Sequence, residues 1–503
     1  MSRKFLACVF SAILLALPFL NSFFFPLAWV AFVPLFWAVR QAATGRAFLL
    51  GWFSGTVAHV VGFYWLNYTI KVFGGYSFGL SAVIFLLFAI CSAFPFALFC
   101  LLVRQLGLGP LSLFPAALWV AIEFVSPGLF PWHLADSQSQ FLILMQSADL
   151  LGPFGTSFLL MWINTALYAA ISGTKGVRSA IRDLAVLSTV LLATLLYGHF
   201  RLKAVPISAE KAPVLSVAAV QGGIDIKRKW DIAYMESNLK AYQDLTRSSQ
   251  EADLVVWPEA AVEAWLPENI ERLPPGLLPP LKRDTFLVFG ARSFRGNPRG
   301  PDLKVFNSAF LVDFEGKVLG HYHKQVLLAF GEYIPLAALL SKLPGFPSQI
   351  DGFTPGEGPA TLDLPRGVKT APLICYEDVM PSLTRRFVAA KGANLLINLT
   401  NDAWFGDTVA PWQHTRLAQW RAIETRRYLV RVTNTGVTSV IDPTGKVLST
   451  LPTFSPGVLT AKVRLLDDQT IYTRFGDWFA WLATAVSLVI VVRKVAVKRK
   501  EAP

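Results

Sequence analysis

Charged residues are scarce in this 503-residue chain: Asp, Glu, Lys and Arg make up 16% of it, against 53% apolar residues and a mean hydropathy of +0.47. So little charge excludes a disordered chain, and so much apolar surface excludes an ordinary soluble domain. Cysteine is scarcer still. Cys8, Cys91 and Cys100 lie in apolar runs and Cys375 stands alone in the polar part, which excludes a disulfide framework. Of the six histidines, none falls into His-Glu-x-x-His spacing, and His321 and His323 share a strand face without a third partner, so neither a metal nor a cofactor is expected. A concentrated basic patch is also missing. The net charge of +13 is scattered, which argues against a nucleic-acid partner.

What is abundant is long apolar sequence. Runs at 5–22, 24–39, 48–68, 79–103, 108–127, 156–173, 184–199 and 477–492 each approach the ~20 residues that cross a bilayer, and they predict eight spans. The fifth is the poorest, with Pro115 interrupting it and Glu123 near its end. Alternate loops carry thirteen basic residues, including Arg3, Arg40, Arg104, Arg178 and Arg493, whereas the short loops opposite carry Lys71 alone. The positive-inside rule then puts both termini in the cytoplasm and segment 200–475 outside the inner membrane. That segment is nearly balanced, with 32 basic and 27 acidic residues. Met1 to Ser22 has too short an apolar core before Cys8 for a signal peptide and is expected to remain as an uncleaved span.

The expected organisation is therefore a helical region 1–200 with seven spans, an external domain 213–466, and an eighth span 476–493 followed by a basic tail to 503. Within the domain, short β-rich runs at 214–220, 254–257, 285–289, 372–375, 394–399 and 429–433 alternate with helical patterns near 231–247, 382–391 and 411–428. Such alternation predicts an α/β domain with a central sheet. Asp313-Phe-Glu-Gly-Lys-Val-Leu319 recurs as Asp442-Pro-Thr-Gly-Lys-Val-Leu448, a strand-turn-strand echo that suggests two similar halves. Gly- and Pro-rich stretches at 273–302 and 344–360 read as long surface loops. The apolar run Leu336, Leu339, Leu340, Leu343 and Phe346 reads as either a short packed helix or a lid dipping into the lipid.

Chemistry concentrates where predicted strands end. Val255-Val256-Trp257-Pro258-Glu259 runs a buried strand into a carboxylate; His321-Tyr322-His323-Lys324 precedes Phe330-Gly331-Glu332-Tyr333; and Leu373-Ile374 leads into Cys375-Tyr376-Glu377. A thiol, a carboxylate and an ammonium form a coherent set. The thiol needs a base to become a thiolate, a poorly solvated carboxylate can be that base, and a lysine can bind the oxyanion formed when sulfur adds to a carbonyl. Taken alone, Cys375 fits a buried small hydrophobe as well as a nucleophile.

These segments, in this order and joined by Asn401-Asp402-Ala403-Trp404-Phe405-Gly406 and Pro411-Trp412-Gln413-His414, resemble the nitrilase superfamily. Together with the flanking spans, Glu123 and Phe130-Pro131-Trp132, the whole chain resembles the bacterial apolipoprotein N-acyltransferases. Ala329 replaces the family's usual Pro, and Gly223 a frequent Asn. The resemblance implies a membrane α-helical bundle of about eight spans carrying an αββα nitrilase-like sandwich in the periplasm. It further implies transfer of a fatty acyl chain from a phospholipid to the α-amino group of the diacylglyceryl-cysteine that begins an apolipoprotein. Glu259 would be the general base, Lys324 the oxyanion stabiliser and Cys375 the nucleophile that carries the acyl group as a thioester. Glu332 and Glu377 would support the pocket, Tyr376 would add its backbone and ring, and Trp230, Tyr333 and Trp404 would line the substrate opening. Two alternatives remain: a tethered amidase of the same superfamily, which would not need seven preceding spans, and a transporter or receptor, which would carry more polar residues inside its spans than Glu123 and His59.

Overall fold

A computed structural model of the chain describes residues 2–130, 132–249, 251–333 and 352–500. The expected lid segment from Leu336 to Phe346 lies outside the described residues, as does Pro131. The chain divides into two units, Met1–Lys203 with Phe475–Pro503, and Ala204–Arg474.

In the first unit, six of the described helices are long and apolar enough to span a bilayer, or seven when Thr44–Gly62 and Leu66–Gly74, bent by 66°, count as one. The run at 108–127 forms instead a helix of 12 residues, Phe114–Val125. At 1.5 Å per residue this is about 18 Å, short of the ~30 Å hydrocarbon layer. Pro115 does not interrupt it. It occupies the first turn, where a missing N–H breaks no helical bond. Two of the polar groups here are held locally: Glu123 Oε1 accepts from Trp119 Nε1 (2.9 Å) and the Leu134 N–H (2.6 Å), and the His59 ring, whose Nδ1 lies 2.8 Å from the Gly55 carbonyl oxygen, meets Trp132 edge-on at 4.5 Å.

The second unit is a two-sheet sandwich. The first sheet holds β1 (Val214–Gln221), β2 (Leu254–Val256), β3 (Val262–Pro267), β4 (Phe286–Arg295), β5 (Lys304–Val312) and β6 (Val318–His323). The second holds β7 (Leu362–Leu364), β8 (Val368–Ile374), β9 (Leu395–Thr400), β10 (Leu429–Thr433), β11 (Ser439–Ile441) and β12 (Val447–Thr450), and β13 (Gly457–Arg464) returns to the first. The orders are β13-β1-β2-β4-β5-β6, with β3 beside β4, and β12-β11-β10-β9-β8-β7. The period-two pattern sorts side chains between layers. Val217, Ala219, Leu254, Val256, Ala309 and Leu311 turn to the core shared with the second sheet. Ala218, Val220, Val255, Leu287, Phe289 and Phe310 turn outward, where Tyr242 of helix Met235–Thr246 covers them. Helices Pro381–Lys391 and Ala410–Thr425 cover the second sheet through Phe387, Val388, Ala418 and Ala422, which completes an αββα sandwich.

The stretch 273–302 is not one loop. Its prolines, and its glycines apart from Gly290, sit at the two ends, and between them Phe286–Arg295 contains no proline and forms β4 at the centre of the sheet. The Asp-x-x-Gly-Lys echo is a true structural repeat. In both copies the Asp N–H reaches the Lys carbonyl (3.1 and 2.9 Å), the Asp Oδ1 accepts the Lys N–H, and the glycine, Gly316 or Gly445, adopts φ +81. That conformation favours glycine, which explains why it recurs.

Candidate active site

Strand direction decides which residues meet. β2, β8 and β9 lie in parallel pairings, and Glu259, Cys375 and Asn401 follow their carboxyl ends. β5 runs antiparallel to β4 and β6 antiparallel to β5, so β6 delivers Lys324 to the same end of the first sheet. The Lys324 side chain is 2% exposed, and its Nζ lies 2.8 Å from Glu332 Oε2 and 3.8 Å from Glu259 Oε1. The Cys375 thiol is within hydrogen-bonding reach of the Glu259 carboxyl and of the Thr400 hydroxyl. Cys375 has φ +51, a left-handed conformation uncommon for a residue with a Cβ. Such backbone strain marks a position fixed by its surroundings, and Asn398 helps fix it by donating Nδ2 to the Cys375 carbonyl (2.9 Å).

The electrostatics follow from burying these charges together. Burial pushes the Glu259 carboxyl up, only partly opposed by Lys324, while Glu332 adds to the rise. Burial also works against the Lys324 ammonium, but Glu332, Cys375 and Glu259 outweigh it and hold Lys324 above the usual lysine range. Glu332 is likewise opposed by burial, yet its contact with Lys324 holds it below the usual carboxylate range. Burial and the Glu259 charge push the Cys375 thiol well up. The cluster therefore contains a committed ion pair, Lys324 with Glu332, and beside it a carboxyl and a thiol between which a proton can move.

Glu377 is 0% exposed and is pushed by burial up to about 7. Its Oε1 accepts from Tyr322 Oη (2.8 Å) and from the N–H groups of Gln325 (2.7 Å) and Val326 (3.1 Å), and its Oε2 accepts from the Ile374 N–H (2.8 Å). Tyr376 is buried, with the half-exposed Tyr333 near enough to act on it electrostatically. Trp230 and Trp404 stack on each other, with ring centroids 6.4 Å apart.

Two features escaped the sequence. Asn307 on β5 donates Nδ2 to both Glu259 Oε1 (2.7 Å) and Glu332 Oε1 (2.9 Å); the only signal was a polar pair, Asn307-Ser308, interrupting an apolar strand. Near Cys375, His414 bridges Asp402 Oδ1 (2.9 Å) and Asp378 Oδ1 (2.8 Å), and Arg431 Nε reaches Asp378 Oδ2 at 2.8 Å. Burial opposes the imidazolium, but Asp378 and Asp402 overcome it and raise His414 to about 9. An arginine within the buried strand β10 was the available clue. One expectation is corrected: His321 and His323 do have a third neighbour. Glu268, just beyond β3, places its carboxylate with both rings so that one donor atom of each lies within 4.8 Å of the others, and Arg295 Nε already engages that carboxylate at 2.6 Å. Sequence reasoning missed it because 53 residues separate Glu268 from His321.

The carbon-nitrogen hydrolase family model matches residues 216–470, and the model for the N-terminal domain of apolipoprotein N-acyltransferase matches residues 11–166. An apolipoprotein N-acyltransferase of Geobacter metallireducens is 37% identical, covering 97% of this chain and 94% of that protein. The chain belongs to the apolipoprotein N-acyltransferase family. A second family member, from Pseudomonas syringae pv. tomato, is 33% identical over 90% of each chain. Among solved structures, an amidase from Nesterenkonia sp. matches 52% of this chain and 92% of its own at 24% identity, with a TM-score of 0.35. The fold is thus the nitrilase-like sandwich attached to a region of apolar membrane helices, as expected for an inner-membrane member of this family.

Proposed function

We propose that the protein acylates the α-amino group of the diacylglyceryl-cysteine of apolipoproteins, taking the acyl chain from a membrane phospholipid through a thioester on Cys375. The observation that carries this is the placement of the Lys324 ammonium between Glu332 and Glu259, with the Cys375 thiol beside Glu259. In the first step Glu259 takes the thiol proton as sulfur attacks the ester carbonyl carbon. Lys324 and the Tyr376 backbone N–H hold the oxyanion; the C–O bond then breaks and the proton on Glu259 passes to the departing lyso-phospholipid oxygen. In the second step the acceptor amine attacks the thioester, its surplus proton goes to Glu259, the C–S bond breaks, and that proton returns to Cys375. The reaction is ping-pong. Trp230, Tyr333 and Trp404 line the opening through which the two lipids pass in turn. The charge asymmetry of the loops supports a periplasmic domain with both termini cytoplasmic.

Mixed with phospholipid alone, the full chain in detergent gains one acyl mass on Cys375 that neutral hydroxylamine removes, and added lipopeptide discharges it faster than water does. An adduct elsewhere, or turnover in Cys375→Ala, refutes the assignment. Discharge by water alone would favour the tethered amidase. Reporter fusions after residues 175 and 497 should read cytoplasmic and those near 130 and 300 external; a cytoplasmic signal near 300 rejects the orientation.

A further inference from the structure

Arg292 lies on β4 two residues beyond Gly290, so the two share a face of the sheet. Gly290 is packed against the base itself: a Cβ there would come within 2.7 Å of Glu259 Cα. Arg292 is therefore about 7 Å along the strand from the backbone that carries Glu259. Its guanidinium carbon lies 4.7 Å from the Trp230 ring centroid and 4.9 Å from that of Trp265, which β3 places directly opposite Arg292. Both indoles are more than one-third exposed, at 38% and 45%. Stacking of this kind holds a guanidinium flat while leaving its N–H edge free for a bidentate oxyanion.

Among the described residues Arg292 has no ion pair. Its one hydrogen bond is long, 3.4 Å to the Glu263 carbonyl, and its buried Nε has no acceptor. Nearby, the fully buried Lys229 donates to the Ala260 carbonyl at 2.9 Å, and Glu263 accepts from Asn238 at 3.0 Å. Glu263 acts on both cations and Glu259 on Lys229, but neither carboxylate reaches the guanidinium as an ion pair, which leaves its N–H groups to a phosphodiester. We propose that Arg292, held between Trp230 and Trp265, is the subsite for the phosphate of the phospholipid donor, and that it positions the donor's ester for Cys375. The inference rests on the proposed function, since only a phosphate-bearing acyl donor needs such a site. A bidentate charge-assisted contact also explains a half-buried guanidinium that Glu263 favours only without direct contact between the charged groups.

The test measures binding without chemistry. In full-length Cys375→Ala protein in detergent, tryptophan fluorescence is titrated with short-chain phosphatidylglycerol and with the matching diacylglycerol, which lacks only the phosphate headgroup. The phospholipid should bind ~10-fold or more tightly than the diacylglycerol. Arg292→Gln should erase that difference and leave diacylglycerol binding unchanged, and Arg292→Lys, which keeps the charge but loses the planar fork, should fall between. Equal weakening for both ligands, or no change for either, overturns the subsite. Adduct formation on Cys375 is followed separately: phosphate-dependent binding without any adduct would reject the proposed chemistry while leaving the subsite standing.

Discussion

Two buried charge clusters flank Cys375, and they are built to opposite ends. On one side Lys324 faces two carboxylates, Glu332 at 2.8 Å and Glu259 at 3.8 Å, so one negative charge is in excess. On the other side His414 and Arg431 face Asp378 and Asp402, two cations against two anions, at 2.8 to 2.9 Å. The balanced set has every reason to stay as it is, because removing any member strands a buried charge. The unbalanced set cannot rest, and its excess falls on Glu259, the carboxyl that burial pushes up. A site that must move protons keeps a charge unmatched; a site that must hold a loop does not.

The sharpest way to break this contrast is at the unbalanced cluster. Glu259→Gln should slow acyl-adduct formation by ~10²–10⁴-fold and Lys324→Met by ~10²-fold or more, with the folded fraction retained. Single-turnover acylation with a folding control by thermal unfolding checks both; near-normal adduct formation in Lys324→Met would make that residue structural. In the wild type the acid limb of kcat/KM should lie above the ordinary carboxylate range, because Glu259 must be ionised to accept the thiol proton.

At the balanced cluster the expected loss is in stability. His414→Gln should cost ~3–5 kcal/mol by leaving Asp378 and Asp402 buried without their bridge, while acylation per folded molecule changes only a few-fold. Its pH signature is distinct. The folded-state value of His414 is raised from 6.5 to about 9, so its contribution, on the order of 3 kcal/mol, is full below about pH 6.5 and is lost as pH rises through 9. Thermal midpoints across that window should fall in the wild type and flatten in His414→Gln. If both profiles are parallel, the imidazolium is not the link.

Smaller effects should come from Asn307 and Glu332. Asn307→Ala removes one donor shared by Glu259 and Glu332 and should cost ~10-fold in acylation, moving the acid limb of the pH profile further up. Glu332→Gln should resemble Lys324→Met in kind but be weaker, since the ammonium remains and is only misplaced. An Asn307 variant that lost stability but not rate would reassign it to the scaffold.

What the sequence disclosed and what it hid divide along the same line. Lys324 follows the mixed strand Val318–His323 and was picked out by its order among the motifs. Glu259 and Cys375 could be proposed from the sequence because each follows an apolar strand, and a polar group at a strand end is a local signal. Strand positions such as 429–433 and helix 382–391 were legible for the same reason, since periodicity is local. Asn307 acts through the register that pairs it with Arg292 and brings it over Glu259, and register is set by the whole sheet. The Asp378-His414-Asp402-Arg431 set draws on four segments, so no spacing along the chain could announce it. The loop assigned across 273–302 failed because averaging proline and glycine over thirty residues concealed a strand of ten.

Glu377 carries a mechanical consequence. Its four hydrogen bonds join Tyr322 on β6 and the two residues that follow Lys324 to Ile374 on β8, so one carboxyl side chain staples the edge that carries the ammonium to the strand that carries the sulfur. Such a staple holds through a few short, directional bonds, whereas the apolar layer between the sheets holds by contacts of no preferred direction. The spacing of Lys324 and Cys375 is thereby tied to these bonds as well as to the packing of the sandwich around it. Warming should loosen the rims of the site long before it alters the distance on which the chemistry depends, and the acylation rate should rise along a straight Arrhenius line until the staple itself lets go.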